Sequence, residues 1–471
     1  MNTNIILFVI TLGSLMAAVD TTIVLLALPT ITVSLHTDLL TSIWVLLAYM
    51  LVISVLSTQT GRIGDLLGKG KIYNLGFVIF TIASALCGIS TNIDLLIIFR
   101  IIQAIGGSML VSNSSSIIAD VFPPNKRGRA YGITSLGWNI GSLVGIVLGG
   151  FLTTFLGWQY IFYINVPIGI IAVILGVTNI KVLNKANTRL DLSGAIILGL
   201  SLGLISLSLL FIAASGVTLS ELIELIVGII LLPVFIFNEI KIKYPIVNLT
   251  IFRIRLLTYS LLANFFQGIG GLSLTFLLIM YLQGVRGLSP LYSSLLLTPG
   301  YVIASILAPF MGRIADRGKP GIIAGIGLVF ILASLLLYFF LLTPSTPYSV
   351  ILGISGITGI GSAMFWPSNS TAIMFHAPKE YYGSVSGLSR TLGNIGTILS
   401  YVLSIVVATL SIPRYVAFEI FLGTATLDKD ISKVFVNGLH FAFLVSSLII
   451  IVAIVFSILS EKSEEKSNKI Y

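Results

Sequence analysis

Apolar residues fill this chain in long, nearly unbroken stretches, and polar residues collect in the short gaps between them. Fourteen runs are long enough to cross a bilayer, near 5–29, 43–60, 72–90, 95–119, 130–153, 160–180, 192–213, 222–240, 257–282, 290–311, 321–342, 348–375, 384–409 and 437–459. A spanning helix needs about 20 mostly apolar residues. A barrel strand is shorter and alternates polar with apolar positions, a pattern this chain lacks. The pattern therefore predicts an all-α integral membrane protein with fourteen transmembrane helices. The first run reads as a retained helix, not a cleaved leader: it is long, lacks a basic flank, and meets Pro29 where a small-residue cleavage site would stand.

Composition agrees. The 471 residues are 56% hydrophobic and 9% charged, against about 25% charged in soluble domains. The net charge of +9 invites a nucleic-acid reading, but its distribution argues otherwise. Arg62, Lys69 and Lys71 follow the second run, and Lys126, Arg127 and Arg129 the fourth. Lys181, Lys185 and Arg189 follow the sixth, and Lys241, Lys243, Arg253 and Arg255 the eighth. Arg313, Arg317 and Lys319 follow the tenth, Lys379 the twelfth, and Lys462, Lys466 and Lys469 end the chain. Twenty of the twenty-six lysines and arginines thus fall on one side. This bias predicts cytoplasmic N and C termini and a multi-pass protein of the cell membrane. It accounts for the charge with the bilayer as partner and no nucleic acid. The single cysteine, Cys87, has no disulfide partner in the chain, and His36, His376 and His440 sit apart from any ligand cluster. No metal, cofactor or enzyme activity is expected: Gly64 to Lys71 lacks the phosphate-loop spacing, and no nucleophile-base arrangement stands out.

The chain repeats itself. Gly61-Arg62-Ile63-Gly64-Asp65, continuing to Gly68-Lys69, is answered by Gly312-Arg313-Ile314-Ala315-Asp316, 251 residues on. Gly107-Ser108 is answered by Gly361-Ser362, and Gly128, Gly132 and Asn139-Ile140-Gly141 by Gly383, Gly387 and Asn394-Ile395-Gly396. Near-constant offsets over this length indicate duplication. Parallel repeats build the two halves of many secondary transporters. The expected division is an N-terminal six-helix bundle at 1–182, linkers with two inserted helices at 183–250, a C-terminal six-helix bundle at 251–460 and a tail at 461–471. The inserted pair, poor in polar groups at depth, reads as a lipid-facing spacer.

Asp20 is the one acid placed deep in an apolar run. Intramembrane acids face a bundle interior or a water-filled cavity, and they mark proton relays by default. A fixed partner for a buried cation is the alternative. Arg100 enters the fourth run from the same side as Asp20: about 8 Å deep against about 13 Å for Asp20, at 1.5 Å per residue. An arginine spans that difference. A pairing that alternates with protonation of Asp20 is therefore expected, with Gln103 one turn away in the same cavity. Otherwise Arg100 snorkels to the interface. Arg390, in the thirteenth run, is expected to meet either an anionic substrate group or a backbone carbonyl. Asn139, Gln267, Tyr281 and Trp366 complete the cavity candidates, with Trp44, Tyr49, Gln59, Phe266 and Gln283 as weaker ones. Ser112 to Ser116 and Ser368 to Thr371 read as helix–helix hydrogen bonding.

Two further patterns concern movement. Gly61, Gly64 and Gly68 suit a tight turn between helices, from which Asp65 would cap a helix or pair with an arginine. Gly61, Arg62, Asp65, Gly68, Lys69, Gly312, Arg313 and Asp316 are therefore gating candidates, a latch that breaks when the halves rock. Gly137, Gly141, Gly145 and Gly149, with Gly150 beside them, stripe one helical face and admit a close neighbour.

These residues resemble the major facilitator superfamily, and within it the fourteen-helix drug:proton antiporter branch. The Gly61–Lys71 stretch is similar to its loop signature, and Arg100 to Gly107 to its helix-four signature. Ala18-Val19-Asp20-Thr21-Thr22 through Pro29 is similar to the branch's first-helix motif, and Gly157 to Gly169 to its helix-six motif. Two departures stand out: Ile146 where the helix-five motif carries proline, and Gln159 where an arginine is usual. The resemblance implies a major-facilitator-type fold, two six-helix bundles plus two inserted helices. Its implied activity is proton-coupled efflux of small amphipathic organic compounds by alternating access, with protons as partner and a monomeric carrier. A narrower metabolite, peptide or organic-acid carrier, and a transport-inactive sensor or scaffold, are the alternatives.

Overall fold

The computed structural model describes residues 3–37, 39–42, 44–180, 191–242, 245, 249–411 and 429–461. The linker and tail lysines from Lys181 to Arg189, Lys243 and those beyond Glu461 lie outside these. Among the described residues every apolar run is a helix and there is no strand. The helices are α1 (Thr3–Ser34), α2 (Trp44–Leu67), α3 (Lys69–Gly88), α4 (Ile93–Val121), α5 (Pro124–Phe155) and α6 (Asn165–Asn179). Then come α7 (Leu192–Ser215), α8 (Leu219–Lys241), α9 (Arg255–Met280), α10 (Pro290–Ala315), α11 (Pro320–Leu341), α12 (Tyr348–His376), α13 (Tyr382–Ser411) and α14 (Lys429–Leu459). Eleven spans are long and apolar enough to cross a membrane among the described residues, and α7 adds a shorter apolar stretch, Ser193–Leu209. The fold is thus all-helical, with about eleven to fourteen apolar helices.

Local chemistry sets the helix ends. Asn92 starts α4 by accepting from the Leu95 amide at 2.9 Å, and Asp191 starts α7 by accepting from the Gly194 amide at 2.9 Å. Prolines open α5, α10 and α11, where their missing N–H costs nothing. A π-turn at Tyr281–Val285 follows α9.

Gly61 and Gly64 do not form the tight turn expected of them. They are helical residues of α2, which runs on to Leu67, and Gly68 alone makes the turn, with φ of 105°. Its counterpart Gly318 has φ of 112°. Gly61 and Gly64 serve close packing instead: a Cβ on Gly61 would strike the Gly383 carbonyl, and one on Gly64 the Asn113 side chain.

The most extensive helix contacts are α1 with α5, α10 with both α12 and α5, and α3 with α4. Helices α1 to α6 pack among themselves, as do α9 to α14, and the two sets meet along α5–α10 and α2–α13. The glycine stripe of α5 lies on α1. Added Cβ atoms at Gly137, Gly141 and Gly145 would meet Thr11, the Leu15 carbonyl and Thr22. Gly149 sits over Ile23. The Thr22 hydroxyl donates to the Ser142 carbonyl at 3.3 Å across this seam. The surroundings of Gly150 are not among those described. Helix α8 is mostly exposed, as a lipid-facing helix would be, whereas α7 packs on α2 and α13.

Candidate functional site

Asp20 and Arg100 meet in a compartment fully closed to solvent, enclosed by α1, α2, α3, α4 and α6. Arg100 Nη1 donates to Asp20 Oδ2 at 2.6 Å, and neither side chain is exposed. Arg100 Nε donates to the Val45 carbonyl at 3.0 Å. The guanidinium lies over the Tyr49 ring at 4.1 Å and near the Phe162 ring at 5.8 Å, a cation–π arrangement that partly replaces lost water. Asp20 Oδ1 accepts from Gln103 Nε2 at 2.8 Å and from Asn165 Nδ2 at 3.2 Å. Gln103 also donates to Ser84 at 2.7 Å and accepts from Arg100 at 2.6 Å. A buried ion pair is tolerable only when further hydrogen bonds satisfy the ions; this shell satisfies both Asp20 oxygens and Arg100 Nε and Nη1, while Arg100 Nη2 has no hydrogen-bond partner among the described residues. Snorkelling of Arg100 to an interface is excluded by its zero exposure.

The two repeated acids form matching contacts across the two helix sets. Asp65 Oδ1 accepts from the Gly383 amide at 3.0 Å, and Oδ2 from the Ser384 amide at 2.9 Å and its hydroxyl at 3.2 Å. Asp316 accepts from the Gly128 and Arg129 amides at 2.5 and 2.9 Å. Asp65 thus sits at the first turn of α13, where free amides and the helix dipole favour an anion, and Asp316 meets α5 at its fifth and sixth residues. The glycines let the backbones touch: a Cβ on Gly312 would meet the Gly128 carbonyl, and one on Gly387 the Ser57 carbonyl. The Thr58 and Thr391 hydroxyls, 2.8 Å apart, extend the α2–α13 seam.

The two contacts differ in their cations. Lys69, nearly buried, pairs with Asp120 at 2.7 Å and lies 3.5 Å from Asp65. Arg62 is buried with Glu239, Asp191 and Asp65 as its charged neighbours. Arg313 is exposed and lies by the Phe310 ring.

A third feature is a small space, about 10 Å³, whose walls include Ser14 on α1, Tyr73 on α3, Leu110 and Ser114 on α4, Trp138 on α5 and Arg390 on α13. The Arg390 guanidinium is 6.0 Å from the Trp138 ring.

With this geometry in place, comparison with known proteins identifies the family. The pattern of the Major Facilitator Superfamily matches residues 10–401. The chain belongs to this superfamily. It is similar to the riboflavin transporter RibZ of Clostridioides difficile, 32% identical over 84% of this chain and 86% of that one. It is similar to the multidrug transporter MdtP of Bacillus subtilis, 31% identical over 81% of this chain and 70% of the other. The tetracenomycin C resistance and export protein of Streptomyces glaucescens is 27% identical over 97% of this chain and 91% of its own. The structure of the human organic anion transporter MFSD10 covers 96% of this chain and all of its own, with a TM-score of 0.61 at 15% identity, a likeness of fold alone. A superfamily of transporters, and such relatives, make this chain a transporter and not an enzyme.

Within this superfamily chain several cavity candidates are engaged by neighbouring residues. Gln103 has no exposure and lies in the Asp20 compartment, the cavity expected of it, because its face of α4 turns toward α1 and α3. Tyr281 is fully buried, with its hydroxyl donating to the Thr343 carbonyl at 2.6 Å, and so anchors a loop. Gln59 donates to the Asp191 carbonyl at 3.2 Å, and Tyr49 lies on Arg100. Trp366 packs edge-on against Phe365, and Phe266 stacks on Phe456 at 5.7 Å. Gln267 is buried, Asn139 half-buried, and the Gln283 side chain lies outside those described. The inserted pair is less bland than expected: Asp191, Ser201, Ser208 and Glu239 are all buried. Sequence reasoning missed Asn165, Ser84 and Asp120. Asn165 had a signal, since it lies inside the Gly157–Gly169 motif.

Proposed function

We propose that this chain is a proton-coupled secondary transporter that exports amphipathic organic compounds from the cell by alternating access. In this reading it is a monomeric fourteen-helix antiporter of the cell membrane, with both termini in the cytoplasm. The enclosed Asp20–Arg100 pair carries the reading. A carboxylate satisfied by an arginine and two amides is stable only while that shell stays closed. If rocking of the halves loosens the shell, Asp20 loses its counter-charge in an apolar setting, where a carboxyl favours its neutral form. Proton uptake then accompanies one conformation and proton release the other. Arg100 keeps its charge throughout and can resume the pairing. The Asp65 and Asp316 latches supply the second requirement, contacts present in one state and absent in the other. Export is supported by the names of two relatives, a multidrug transporter and a resistance and export protein.

A narrower metabolite carrier is the second reading. It is favoured by the similarity to a protein named a riboflavin transporter. Flux from proteoliposomes under an imposed pH gradient separates the two, using a panel of lipophilic drugs and riboflavin. Gradient-driven movement of several unrelated drugs supports the first reading, and movement of riboflavin alone the second. Flux that ignores the pH gradient overturns the coupling.

A further inference from the structure

The space beside Trp138 holds a cation that nothing among the described residues satisfies. Arg390 is half-buried in it, and among the described residues its guanidinium makes no hydrogen bond and no ion pair. No carboxylate of the described residues acts on it. Its one recorded contact is the face of Trp138. This contrasts with Arg100, whose charge is matched by Asp20, and with Arg127, which donates to the Ala119 and Phe122 carbonyls at 2.6 and 3.1 Å. Desolvating an unmatched guanidinium is costly, and its planar fork suits a carboxylate or phosphate in two-point contact.

The surroundings narrow the ligand further. Trp138 offers a flat aromatic face beside the guanidinium, and Ser14 on α1 lines the same space, whereas the Ser114 hydroxyl is engaged, donating to the Val111 carbonyl at 3.1 Å. Its enclosed volume, about 10 Å³, is roughly that of one water, so it admits the oxygen of an acidic head group and leaves the ring that bears it outside, beside Trp138. Arg390 stands on α13, whereas the other walls named here belong to α1, α3, α4 and α5. An anion bound there would bridge the two moving sets of helices.

We propose that Arg390, with Trp138 beside it, forms an anion subsite, and that the preferred substrates are organic monoanions with a planar apolar body. The inference rests on the transport reading above for its physiological meaning, but the binding it claims needs no gradient.

The test measures equilibrium binding to the full chain in nanodiscs, using three matched probes: 1-naphthoate, 1-naphthamide and 1-naphthylmethylammonium. The expected order is naphthoate tightest, by about tenfold or more over the amide, as a charge-assisted contact provides, with the ammonium weakest. Arg390→Gln should remove the advantage of naphthoate over the amide, and Arg390→Lys should keep part of it. The lysine variant preserves the charge and guards against a folding defect in the glutamine variant. Naphthoate binding no tighter than the amide in the wild type, or an advantage that survives Arg390→Gln, overturns the subsite. A parallel proteoliposome assay with a neutral compound reports the transport reading separately. Absence of pH-driven flux there, with the naphthoate preference intact, defeats the reading and leaves the subsite standing.

Discussion

Removing the charge of Asp65 tests whether the α2–α13 contact is a conformational latch. In Asp65→Asn the side chain keeps one oxygen but presents an NH2 group to amides that are themselves donors. Asp65 now accepts three hydrogen bonds from Gly383 and Ser384, in a nearly buried position. Hydrogen bonds to a charged group contribute roughly 1.5–3 kcal/mol each, and the dipole of α13 adds about 0.3–1 kcal/mol. Asparagine rescues part of this, so a net loss of about 2–3 kcal/mol is expected, a shift of roughly 30- to 150-fold in the ratio of latched to released molecules. Asp316→Asn should act in the same direction but less, about 1–2 kcal/mol, because that site has two amide donors and greater exposure. Spin labels at Leu67 and Tyr381, both exposed at the α2–α13 junction, would read the separation. The one native cysteine, Cys87, is buried and does not compete for the label. The expected result is a longer-distance population in both variants, larger for Asp65→Asn. Distance distributions unchanged in both would refute the latch.

Other outcomes follow from the same contacts. Asp20→Asn should leave the protein folded in the membrane and abolish uphill, pH-driven efflux; undiminished proton release during transport would count against the role of Asp20. Gly387→Val should shift the spin-label distances as Asp65→Asn does, since a side chain there meets the Ser57 carbonyl across the closed α2–α13 seam. Gly141→Val, pressed against the Leu15 carbonyl of α1, should instead lower the melting temperature with the distances unchanged, the loss being about 1–3 kcal/mol as for other overpacked sites. In competition for binding, matched monocations should outcompete dications, because the one deep acid is engaged by Arg100; equal or tighter binding of the dication would place another acid in the site.

The hydrophobic pattern carried most of the fold, for a physical reason. In a bilayer each spanning helix must satisfy its own backbone and present apolar side chains, so helix positions are written in composition with little help from neighbours. The meeting of Asp20 with Arg100 was legible for a similar reason, since depth in a membrane is a matter of counting residues. What composition does not encode is which way each helix face turns. Gln103 joins Asp20 as its depth suggests, but that Tyr281 turns its hydroxyl to the Thr343 carbonyl could not be read, because rotation about the helix axis is decided by the partner helices. Gly61 and Gly64 misled differently: three glycines in eight residues suggest a turn, whereas here two of them allow α13 and α4 to approach α2. Nothing in the pattern singles out Asp191 or Glu239, and only tertiary packing reveals that both, with Asp65, act on the charge of Arg62.

Helix α7 touches both α2 and α13 and so lies across one of the two seams along which the helix sets meet. No inserted helix covers α5 and α10 in the same way among the described residues. An otherwise near-symmetric molecule thereby acquires a shielded flank and a bare one. In a bilayer, lipid chains would reach the bare flank directly, whereas on the other they would first have to pass α7. When the sets rock, α7 has to slide against one of its two neighbours, so one seam works against protein and the other against lipid. Friction, lateral access and sensitivity to bilayer thickness should therefore be properties of a side of this molecule rather than of the whole.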